Sequence, residues 1–487
     1  MTAAAADLGR LQALVEARLG LLVHAHQLDN LAATAAAALA RFGSADVHAL
    51  CAAFAAARDG DALLEFFIER LTVGESFFFR DTAQMDALRD ELIPRLVEQR
   101  RHGARALRVW SAACSAGQEL YSVALLITDA LGGAAAARRD WRLHLVGTDI
   151  NAAALRRAEA GEYTNWSLRG VDAARRERCF EAAPGGGVRL RAELRALATF
   201  RYLNLAAGGF PSIVDGLHDF DVILCRNVFV YFDPARARRI LARMTQALAP
   251  DGVLLLGASD IVDPHIDGLV TVQRGAMCYY RKPLLAVELQ PPVPAAPPAA
   301  FAVSNPSAAA APPEAPTPAA APAWADLDAL AAAGRWADVA ARAASAGAAP
   351  PDAAAARLLA LALGNLGRQE EALACCTQAL ERAPTDPALH FLRALLSAER
   401  GDDAAALDAF RRTLYLAPDN IEAHHQMALL LLRTGQQARG LRSLRNALEL
   451  ARREPGAAPA PGGLSYARLA AIIANEMELH AQVEANG

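Results

Sequence analysis

The sequence has a single lysine, Lys282, beside 48 arginines, and only 6% of its 487 residues are aromatic. A net charge of -4 argues against a protein that binds nucleic acid through an overall positive field. The seven cysteines form no CxxC or Cys/His metal spacing, so we expect no metal and reduced thiols. No apolar run approaches the ~18 residues of a membrane span, and the N-terminus lacks the layout of a signal peptide. These absences predict a cytoplasmic protein without direct membrane insertion.

The most informative stretch is a bare turn between a predicted strand and a predicted helix. Residues 106–110 are apolar like a buried strand, residues 121–127 are typical of a helix, and the small residues 112–117 lie between them. Such a turn lets backbone N–H groups and a helix N-terminus come close to a ligand. The next predicted strand, 142–148, ends in Asp149, which is well placed to accept hydrogen bonds from ribose hydroxyls. The pattern indicates a nucleotide-type cofactor site.

Periodicity and composition divide the chain into four predicted segments. Residues 1–95 show the apolar spacing of helices, and residues 96–282 alternate strands with helices, which favours a parallel, doubly wound α/β sheet. Within that segment the glycines at 185–187 predict a hairpin, and so a small β insertion. Residues 283–323 carry twelve of the 26 prolines and are typical of a semi-extended linker. Residues 324–487 form the last segment.

Short apolar runs and helical patterns locate the elements of the α/β segment. The strands are predicted at 106–113, 142–149, 200–203, 220–225, 252–256 and 272–281. The helices between them are predicted at 119–131, 151–160 and 234–248. The last of these helices has a proline in its first turn, and we expect it to end in a turn at Pro250–Gly252.

The last segment contains an internal repeat of 34 residues. Ala383-Pro384 recurs as Ala417-Pro418, and a glycine recurs with the same period at Gly367, Gly401 and Gly435. Two short helices with glycine at the turn and proline at the end are the signature of tetratricopeptide repeats. Stacked helix pairs form a concave surface for a protein or peptide partner, although a purely structural cap is the alternative. A helix-like stretch at 466–483 is predicted to cap the stack.

Three consecutive phenylalanines, Phe77 to Phe79, precede Arg80 at the end of the N-terminal segment. One interpretation is a loop that closes over the cofactor, with Arg80 offering a planar fork to a carboxylate. The alternative is that the aromatic residues are a core plug and Arg80 lies at the surface.

Six runs in a fixed order carry a resemblance to a known family. They are Ser76-Phe-Phe-Phe-Arg80, Arg108 to Ser122, Gly147-Thr-Asp-Ile150, Ala160-Gly-Glu-Tyr163, Tyr202-Leu-Asn-Leu205 and Cys225-Arg-Asn-Val-Phe-Val-Tyr-Phe-Asp233. Together, over roughly residues 10–283, they are similar to the CheR-type chemoreceptor glutamate O-methyltransferases. The resemblance implies a Rossmann-like domain that uses S-adenosylmethionine. A methyltransferase joined to tetratricopeptide repeats also resembles a known subgroup.

The resemblance implies a role for each matching residue. Glu119 would hold the methionine moiety of the cofactor, and Asp149 would hold its ribose. The pairs Asn204-Leu205 and Asn227-Val228 would line the adenine and sulfonium regions, where an asparagine offers both donor and acceptor. The loop that closes on the cofactor would contribute Gly74, Ser76 and Arg80. Arg80 and Tyr231 resemble the pair that stands beside the transferred methyl group.

Three features depart from the family pattern. The glycine-rich loop is reduced to Gly117, and Gly74 and Ser76 replace an asparagine and a threonine of the family. The helix that presents basic residues to the receptor in chemotaxis enzymes is here 31–41, with one arginine. Docking of an acidic receptor helix is therefore expected to differ or to depend on the repeats.

The resemblance implies a protein-glutamate O-methyltransferase, for which we expect a monomer although the sequence leaves the oligomeric state open. Its expected substrate is the cytoplasmic domain of a methyl-accepting chemotaxis-type receptor, and its repeats are expected to bind or regulate through a second protein. One alternative is a catalytically weak scaffold that binds partners through the repeats, and another is a methyltransferase for a small molecule. Truncation at Pro283 is predicted to leave cofactor binding intact.

Overall fold

The computed structural model describes residues 3–72, 74, 76–183, 186–257, 260, 266–274, 277–283, 324, 326–346 and 350–453, with single positions between 466 and 477. Within these ranges, no single helix is both long and apolar enough to cross a membrane, although one bent helix pair, 118–130 with 134–140, passes by length and composition alone. The same ranges contain no group of three or more metal-ligating side chains.

The N-terminal part of the chain is helical, as predicted. Its helices are α1 Ala3–Leu19, α2 Leu28–Phe42, α3 Val47–Ala56, α4 Ala62–Leu71, α5 Thr82–Ala87 and α6 Ile93–Arg101. The apolar positions that recur at helical spacing turn inward, so that Leu11, Phe54 and Phe67 are fully buried in one core. Tyr231 from the α/β segment packs against the same core, which ties the two parts together.

Strands and helices alternate through the next segment, as the sequence predicted. The elements are β1 Ala106–Ala112, α7 Gln118–Ala130, α8 Ala134–Asp140, β2 Arg142–Asp149, α9 Ala152–Ala160, β3 Glu162–Tyr163, α10 Ala173–Cys179, β4 Phe180–Ala182, β5 Val188–Leu190, α11 Ala192–Arg195, β6 Ala198–Tyr202, β7 Phe220–Cys225, α12 Pro234–Ala247, β8 Leu248–Leu256, β9 Val270–Arg274 and β10 Met277–Arg281.

Seven strands form one mixed sheet in the order β6-β2-β1-β7-β8-β10-β9. The first five are parallel, and β10 runs antiparallel to both β8 and β9. The strand order reverses at β1, whose neighbours are β2 and β7, and ligands bind at the carboxyl ends of strands at such a switch point. Trp110 on β1 is fully buried, and its indole N–H donates to Thr148 Oγ1 on β2 at 2.9 Å.

The predicted β insertion is present as a second sheet, in the order β3-β5-β4. The antiparallel pair β4–β5 confirms the hairpin, although Gly185 lies outside the described residues. Two other predictions were wrong. The single strand expected at 272–281 is two short strands, β9 and β10, which pair with each other in antiparallel fashion. The residues of the turn expected at Pro250–Gly252 are part of β8, and the pairing of β8 with β7 shifts register at this point.

The C-terminal segment consists of paired helices, as the 34-residue period predicted. They are α13 Leu327–Ala332, α14 Trp336–Ala346, α15 Ala353–Asn365, α16 Gln369–Arg382, α17 Pro387–Arg400, α18 Asp403–Leu416, α19 Ile421–Arg433 and α20 Gln437–Arg453. The recurring glycines stand between the helices of a pair with φ of +75° to +81°, a conformation that favours glycine. Residues 284–323 and most of the predicted capping helix at 466–483 lie outside the described residues.

Candidate active site

A cleft lies at the carboxyl ends of β1, β2, β6 and β7. Its rim also includes the segment that follows α4, which reaches over from the helical N-terminal part. The cleft collects every residue that the sequence predicted for the cofactor or for catalysis: Gly74, Ser76, Arg80, Glu119, Asp149, Asn204, Leu205, Asn227, Val228 and Tyr231. Their roles stay predictions, but residues that are distant in the chain share one surface.

Glu119 lies in the first turn of α7, directly after the turn of small residues. Gly117 precedes this helix with φ +83°, and a Cβ there would lie 2.8 Å from the Phe200 ring, so the position requires glycine. One carboxylate oxygen of Glu119 accepts from Ser111 Oγ at 2.7 Å, and the other accepts from Arg226 Nη1 at 3.1 Å. The acid at the helix N-terminus is thereby fixed in one orientation on the cleft wall.

Asp149 ends β2 and is 8% exposed. One of its oxygens accepts from the Ser115 backbone N–H at 2.8 Å, and the other accepts from the Asn151 N–H at 2.8 Å. Burial raises the pKa of Asp149, and these backbone hydrogen bonds oppose the rise because they favour the ionised form. Each carboxylate oxygen has a second lone pair, so the side chain can still accept from two hydroxyl groups.

Arg226 is a site residue to which the sequence analysis assigned no role. It follows the fully buried strand β7, and its side chain is only 3% exposed. Besides Glu119, it donates to the Arg80 carbonyl oxygen at 2.9 Å and lies 3.5 Å from Asp81 Oδ2. One buried arginine therefore connects the end of a strand, the acid on α7 and the segment after α4. A charged residue directly after an apolar strand was the signal available in the sequence.

Asp260 is a second residue that sequence reasoning missed. It is 1% exposed, and its carboxylate accepts from the backbone N–H groups of Asn227, Val228, Phe229 and Gly257. This hydrogen bonding holds the chain after β7 in a tight loop, in which Asn227 has φ +60°. Burial raises the pKa of Asp260, and the four backbone donors oppose that rise. Asp260, which follows the next strand in the chain, therefore holds the loop that presents Asn227 and Val228 to the cleft.

The segment from Ser76 to Asp81 buries two of the three phenylalanines as a core plug, whereas its closure over a cofactor stays a prediction. Phe78 is fully buried, with its ring edge-on to Tyr163 and to Phe180 of the β insertion at 4.9 and 5.1 Å. The Phe79 N–H donates to Ser122 Oγ on α7 at 2.9 Å. Two of the three rings thus plug the core, and this anchors the backbone so that Arg80 reaches the cleft.

Asn204 and Leu205 follow β6 and line the cleft, but the Asn204 side chain already has backbone partners. Its Nδ2 donates to the Arg18 carbonyl oxygen at 3.1 Å, and its Oδ1 accepts from the Ala206 N–H at 3.0 Å. These bonds hold the end of α1 against the cleft, where Leu19 and Leu21 supply apolar wall. The predicted contact between this pair and the adenine stays a prediction.

Tyr231 lies in a short helical turn after β7, and its carbonyl oxygen accepts from the Leu22 N–H at 2.7 Å. Burial raises the pKa of the Tyr231 phenol, and the positive charge of Arg80 opposes the rise. The hydroxyl group therefore stays protonated at neutral pH and can donate a hydrogen bond to a ligand. Arg80 and Tyr231, which the sequence paired, share the cleft.

The chemistry of the cleft fits S-adenosylmethionine. Glu119 can hold an ammonium group, Asp149 can accept from ribose hydroxyls, and apolar walls between them suit an adenine ring. The buried Arg226 Nε has no hydrogen-bond partner among the described residues, which leaves a donor near the acid. An open α/β sheet with such a cleft at its switch point defines the class of Rossmann-like domains that bind a nucleotide-type cofactor.

Comparison with known proteins identifies the family within this class. The model of the CheR methyltransferase SAM-binding domain matches residues 74–275, and a tetratricopeptide-repeat model matches residues 358–386. The chain is 34% identical over 220 residues to chemotaxis protein methyltransferase 1 of Pseudomonas aeruginosa, covering 45% of this chain and 77% of that relative. Identity is 32% over 212 residues to chemotaxis protein methyltransferase Cher2 of Pseudomonas putida, covering 43% and 74%.

The chain belongs to the CheR methyltransferase family. S-adenosylmethionine is its methyl donor, and the protein is a methyltransferase of chemotaxis-type signalling. The solved structure of MamA residues 41-end from Desulfovibrio magneticus RS-1 is 17% identical, with a TM-score of 0.26 over 27% of this chain and 75% of that one. So weak a likeness supports no functional conclusion.

Proposed function

We propose that this protein methylates glutamate side chains in the cytoplasmic domain of a methyl-accepting receptor, acting as a cytoplasmic monomer. The observation that carries the proposal is the shared cleft, which places Arg80 and Tyr231 with the acids that fit the two ends of the donor. The donor supplies an activated methyl group when it is bound. The residues of this chain then have to bind, orient and desolvate the reacting groups.

A glutamate acceptor removes the need for a general base. An ionised carboxylate is already a nucleophile at neutral pH, because its pKa lies near 4.3. The raised pKa of Tyr231 agrees with this view, since a protonated phenol can orient an acceptor oxygen but cannot remove a proton. Rate enhancement then comes from positioning, with the acceptor oxygen roughly 3 Å from the methyl carbon and in line with the departing sulfur.

Arg80 is the proposed orienting group for the acceptor carboxylate. A guanidinium offers two parallel N–H donors that match the two oxygens of a carboxylate. Arg226 donates a hydrogen bond to the backbone carbonyl oxygen of Arg80, and this contact fixes the backbone at Arg80. The alternative for Arg80 is that it holds the carboxylate of the cofactor.

The proposed docking of the receptor does not depend on a basic α2. This helix has one basic residue in its last turn, Arg41, and it buries Leu31, Thr34, Ala35 and Ala38 against the N-terminal core. Beside the cleft segment, Arg169 stacks at 3.5 Å from the Phe77 ring centroid and 4.5 Å from that of Trp166, which is 69% exposed. We propose that this exposed stack, together with the repeats, contacts the receptor.

The test uses purified protein, radioactive S-adenosylmethionine and a receptor cytoplasmic fragment. We expect methyl incorporation that is released by base, as a glutamate methyl ester is. Arg80→Ala is expected to reduce transfer at least about hundredfold with a much smaller change in affinity for S-adenosylhomocysteine, because a bidentate charged contact is worth about 3 kcal/mol. Arg41→Ala is the matched control and should leave transfer unchanged.

The contrary outcomes separate the alternatives. Unchanged transfer by Arg80→Ala at unchanged affinity would rule out Arg80 as the orienting group, whereas a loss confined to affinity would assign it to the cofactor carboxylate. Uptake of the donor without transfer to any receptor fragment would favour the scaffold.

A further inference from the structure

The segment between β6 and β7 leaves the active-site cleft and enters the repeats. We define residues 208–219 as the crossing loop. Ile213 in this loop is 2% exposed, and it belongs to a core cluster whose other fully buried members all come from the repeats. Among them are Ala360, Leu363, Leu389, Leu392 and Leu396. Its neighbour Val214 packs partly against the same cluster and partly against the next one.

Several of the buried side chains that share this cluster with Ile213 come from the first helices of successive pairs. Ala360 and Leu363 lie on α15, and Leu392 and Leu396 lie on α17. A Cβ added to Gly364 would lie 3.0 Å from Ile213 Cδ1, so the small residue at this position makes room for the isoleucine. The groove along these helices is therefore shaped around the crossing loop.

Polar side chains of the repeats bind the backbone of the same loop. The Ile213 N–H donates to Asn365 Oδ1 at 2.6 Å, and Asn365 is 1% exposed. Gln426 Nε2 on α19 donates to the Val214 carbonyl oxygen at 3.4 Å, and Trp336 Nε1 on α14 donates to the Pro211 carbonyl oxygen at 3.1 Å. Since a buried backbone group without a partner is costly, these contacts specify a particular peptide segment rather than any apolar surface.

Beside the crossing loop, an ion pair also joins the sheet to the repeats. Arg108 on β1 donates to Glu399 Oε2 on α17 at 2.6 Å and also binds two loop carbonyl oxygens, Gly216 O at 2.9 Å and His218 O at 3.0 Å. Arg108 is 12% exposed and Glu399 is 25% exposed. Burial alone would raise the pKa of Glu399, but the positive charge of Arg108 and the neighbouring imidazoles of His218 and His144 hold it well below its ordinary value.

We infer that the groove lined by α15, α17 and α19 is the binding site for the crossing loop of this chain's own methyltransferase domain. The repeats therefore bind a segment of their own chain and hold the two domains together. A second protein that uses the groove must displace the loop, and it must present a short segment with paired aliphatic side chains and free backbone carbonyls, as Pro211 to Asp215 does. This inference is independent of which acceptor the enzyme methylates.

The test cuts the linker after the full chain has folded. A specific protease site is inserted within 283–323, the purified protein is cleaved, and the two pieces are followed by size-exclusion chromatography at micromolar concentration. We expect the pieces of the wild-type sequence to elute together. Ile213→Asp should separate them, with a dissociation constant raised at least about hundredfold, because a lone carboxylate would be buried in the apolar groove. Glu399→Gln should weaken the pairing about tenfold.

Val270→Asp is the matched control, since it makes the same aliphatic-to-acid change at a position that is 41% exposed on β9, and its pieces should stay together. Separation of the wild-type pieces at micromolar concentration would overturn the inference, and so would co-elution of the Ile213→Asp pieces. If Ile213→Asp does not fold, Ile213→Ala combined with Glu399→Gln decides the question by the same readout.

Discussion

The two edges of the parallel sheet are used in opposite ways. At the carboxyl edge, Glu119 and Asp149 are each held by two hydrogen bonds and keep accepting capacity directed at the cleft. At the amino edge, Arg108 has four partners within the chain and meets the repeats through Glu399. The difference shows how a binding site can be told from a structural contact. The carboxylates at the site are positioned but keep accepting capacity, whereas the Arg108 and Glu399 side chains at the contact are paired with each other.

The crossing loop touches both edges. It follows Asn204 and Leu205 of the cleft, passes through the groove of the repeats and leads into β7, whose far end carries Arg226 and Asn227. Substitutions at one edge, followed by measurement of cofactor affinity or stability, therefore test whether the two edges act independently.

The largest effect is expected from Asp260→Ala at the carboxyl edge. The change leaves four backbone N–H groups around Asn227 without their acceptor, at about 1 kcal/mol or more each, so we expect a loss of about 4 kcal/mol in the free energy of unfolding and loss of measurable cofactor binding. Denaturant unfolding and calorimetry with S-adenosylhomocysteine measure the two effects. Asp267→Ala, at an exposed position, is the control. Normal binding by Asp260→Ala would show that the loop does not need this acid.

Asp149→Ala is expected to have the next largest effect. If Asp149 holds the ribose as the sequence predicted, removing its carboxylate eliminates two charge-assisted hydrogen bonds, so affinity for S-adenosylhomocysteine should fall roughly hundredfold, which is about 3 kcal/mol. Asp59→Ala, exposed before α4, should bind as the unmodified protein does. A change below about threefold would place the ribose elsewhere.

A smaller effect, dependent on pH, is expected from Glu399→Gln at the amino edge. Because the pKa of Glu399 lies well below its ordinary value of 4.5, the unfolded chain takes up the proton first as the pH falls, and the stabilisation is lost between 4.5 and the lower folded value. Arg108, His218 and His144 are the charged or titratable groups that face this carboxylate.

The unmodified protein should therefore exceed Glu399→Gln in melting temperature by a constant margin above about pH 5.5, and the margin should shrink on acidification below pH 4.5. Glu370→Gln, whose carboxylate is exposed on α16, should show no such margin. A margin that grows toward acid pH would mean that the pair does not stabilise the fold.

The smallest effect on the cleft is expected from truncation at Pro283. We predict that affinity for S-adenosylhomocysteine stays within about threefold of the full chain, because the residues that line the cleft all precede this position. The melting temperature should fall, since Ile213 would lose its apolar neighbours and become exposed. Loss of cofactor binding on truncation would show that the crossing loop couples the two edges and that the domains are not separable.

The sequence predicted the features that depend on local pattern. Alternating apolar runs located the sheet, the 34-residue period located the helix pairs, and six marker runs contain nine of the ten cleft residues, with Gly74 just before the first run. It could not predict pairings between distant segments. Asp260 builds the loop at Asn227 from 33 residues downstream, and Asn365 binds Ile213 from 152 residues downstream. Neither contact leaves a local signature, because a single aspartate or asparagine is common in any turn.

The partner surface of the repeats is another case in which the sequence could not predict a contact between distant segments. The period indicated a groove for a protein. Nothing in the sequence indicates that Ile213 lies in this groove, because the crossing loop has the composition of an ordinary loop rich in glycine and aspartate. The turn predicted at Pro250–Gly252 was wrong because strand pairing with β7 overrode turn propensity. The strand predicted at 272–281 was wrong because an apolar pattern alone does not distinguish one strand from two short strands that pair with each other.

The position of the repeats at the amino edge has a consequence for how such enzymes diversify. An appendage fastened on the far side of the sheet leaves the entrance to the catalytic cleft unobstructed, so fusion of a new module would not have required the reaction centre to be redesigned. A module attached there can change what the enzyme responds to while the residues around the donor stay as they are.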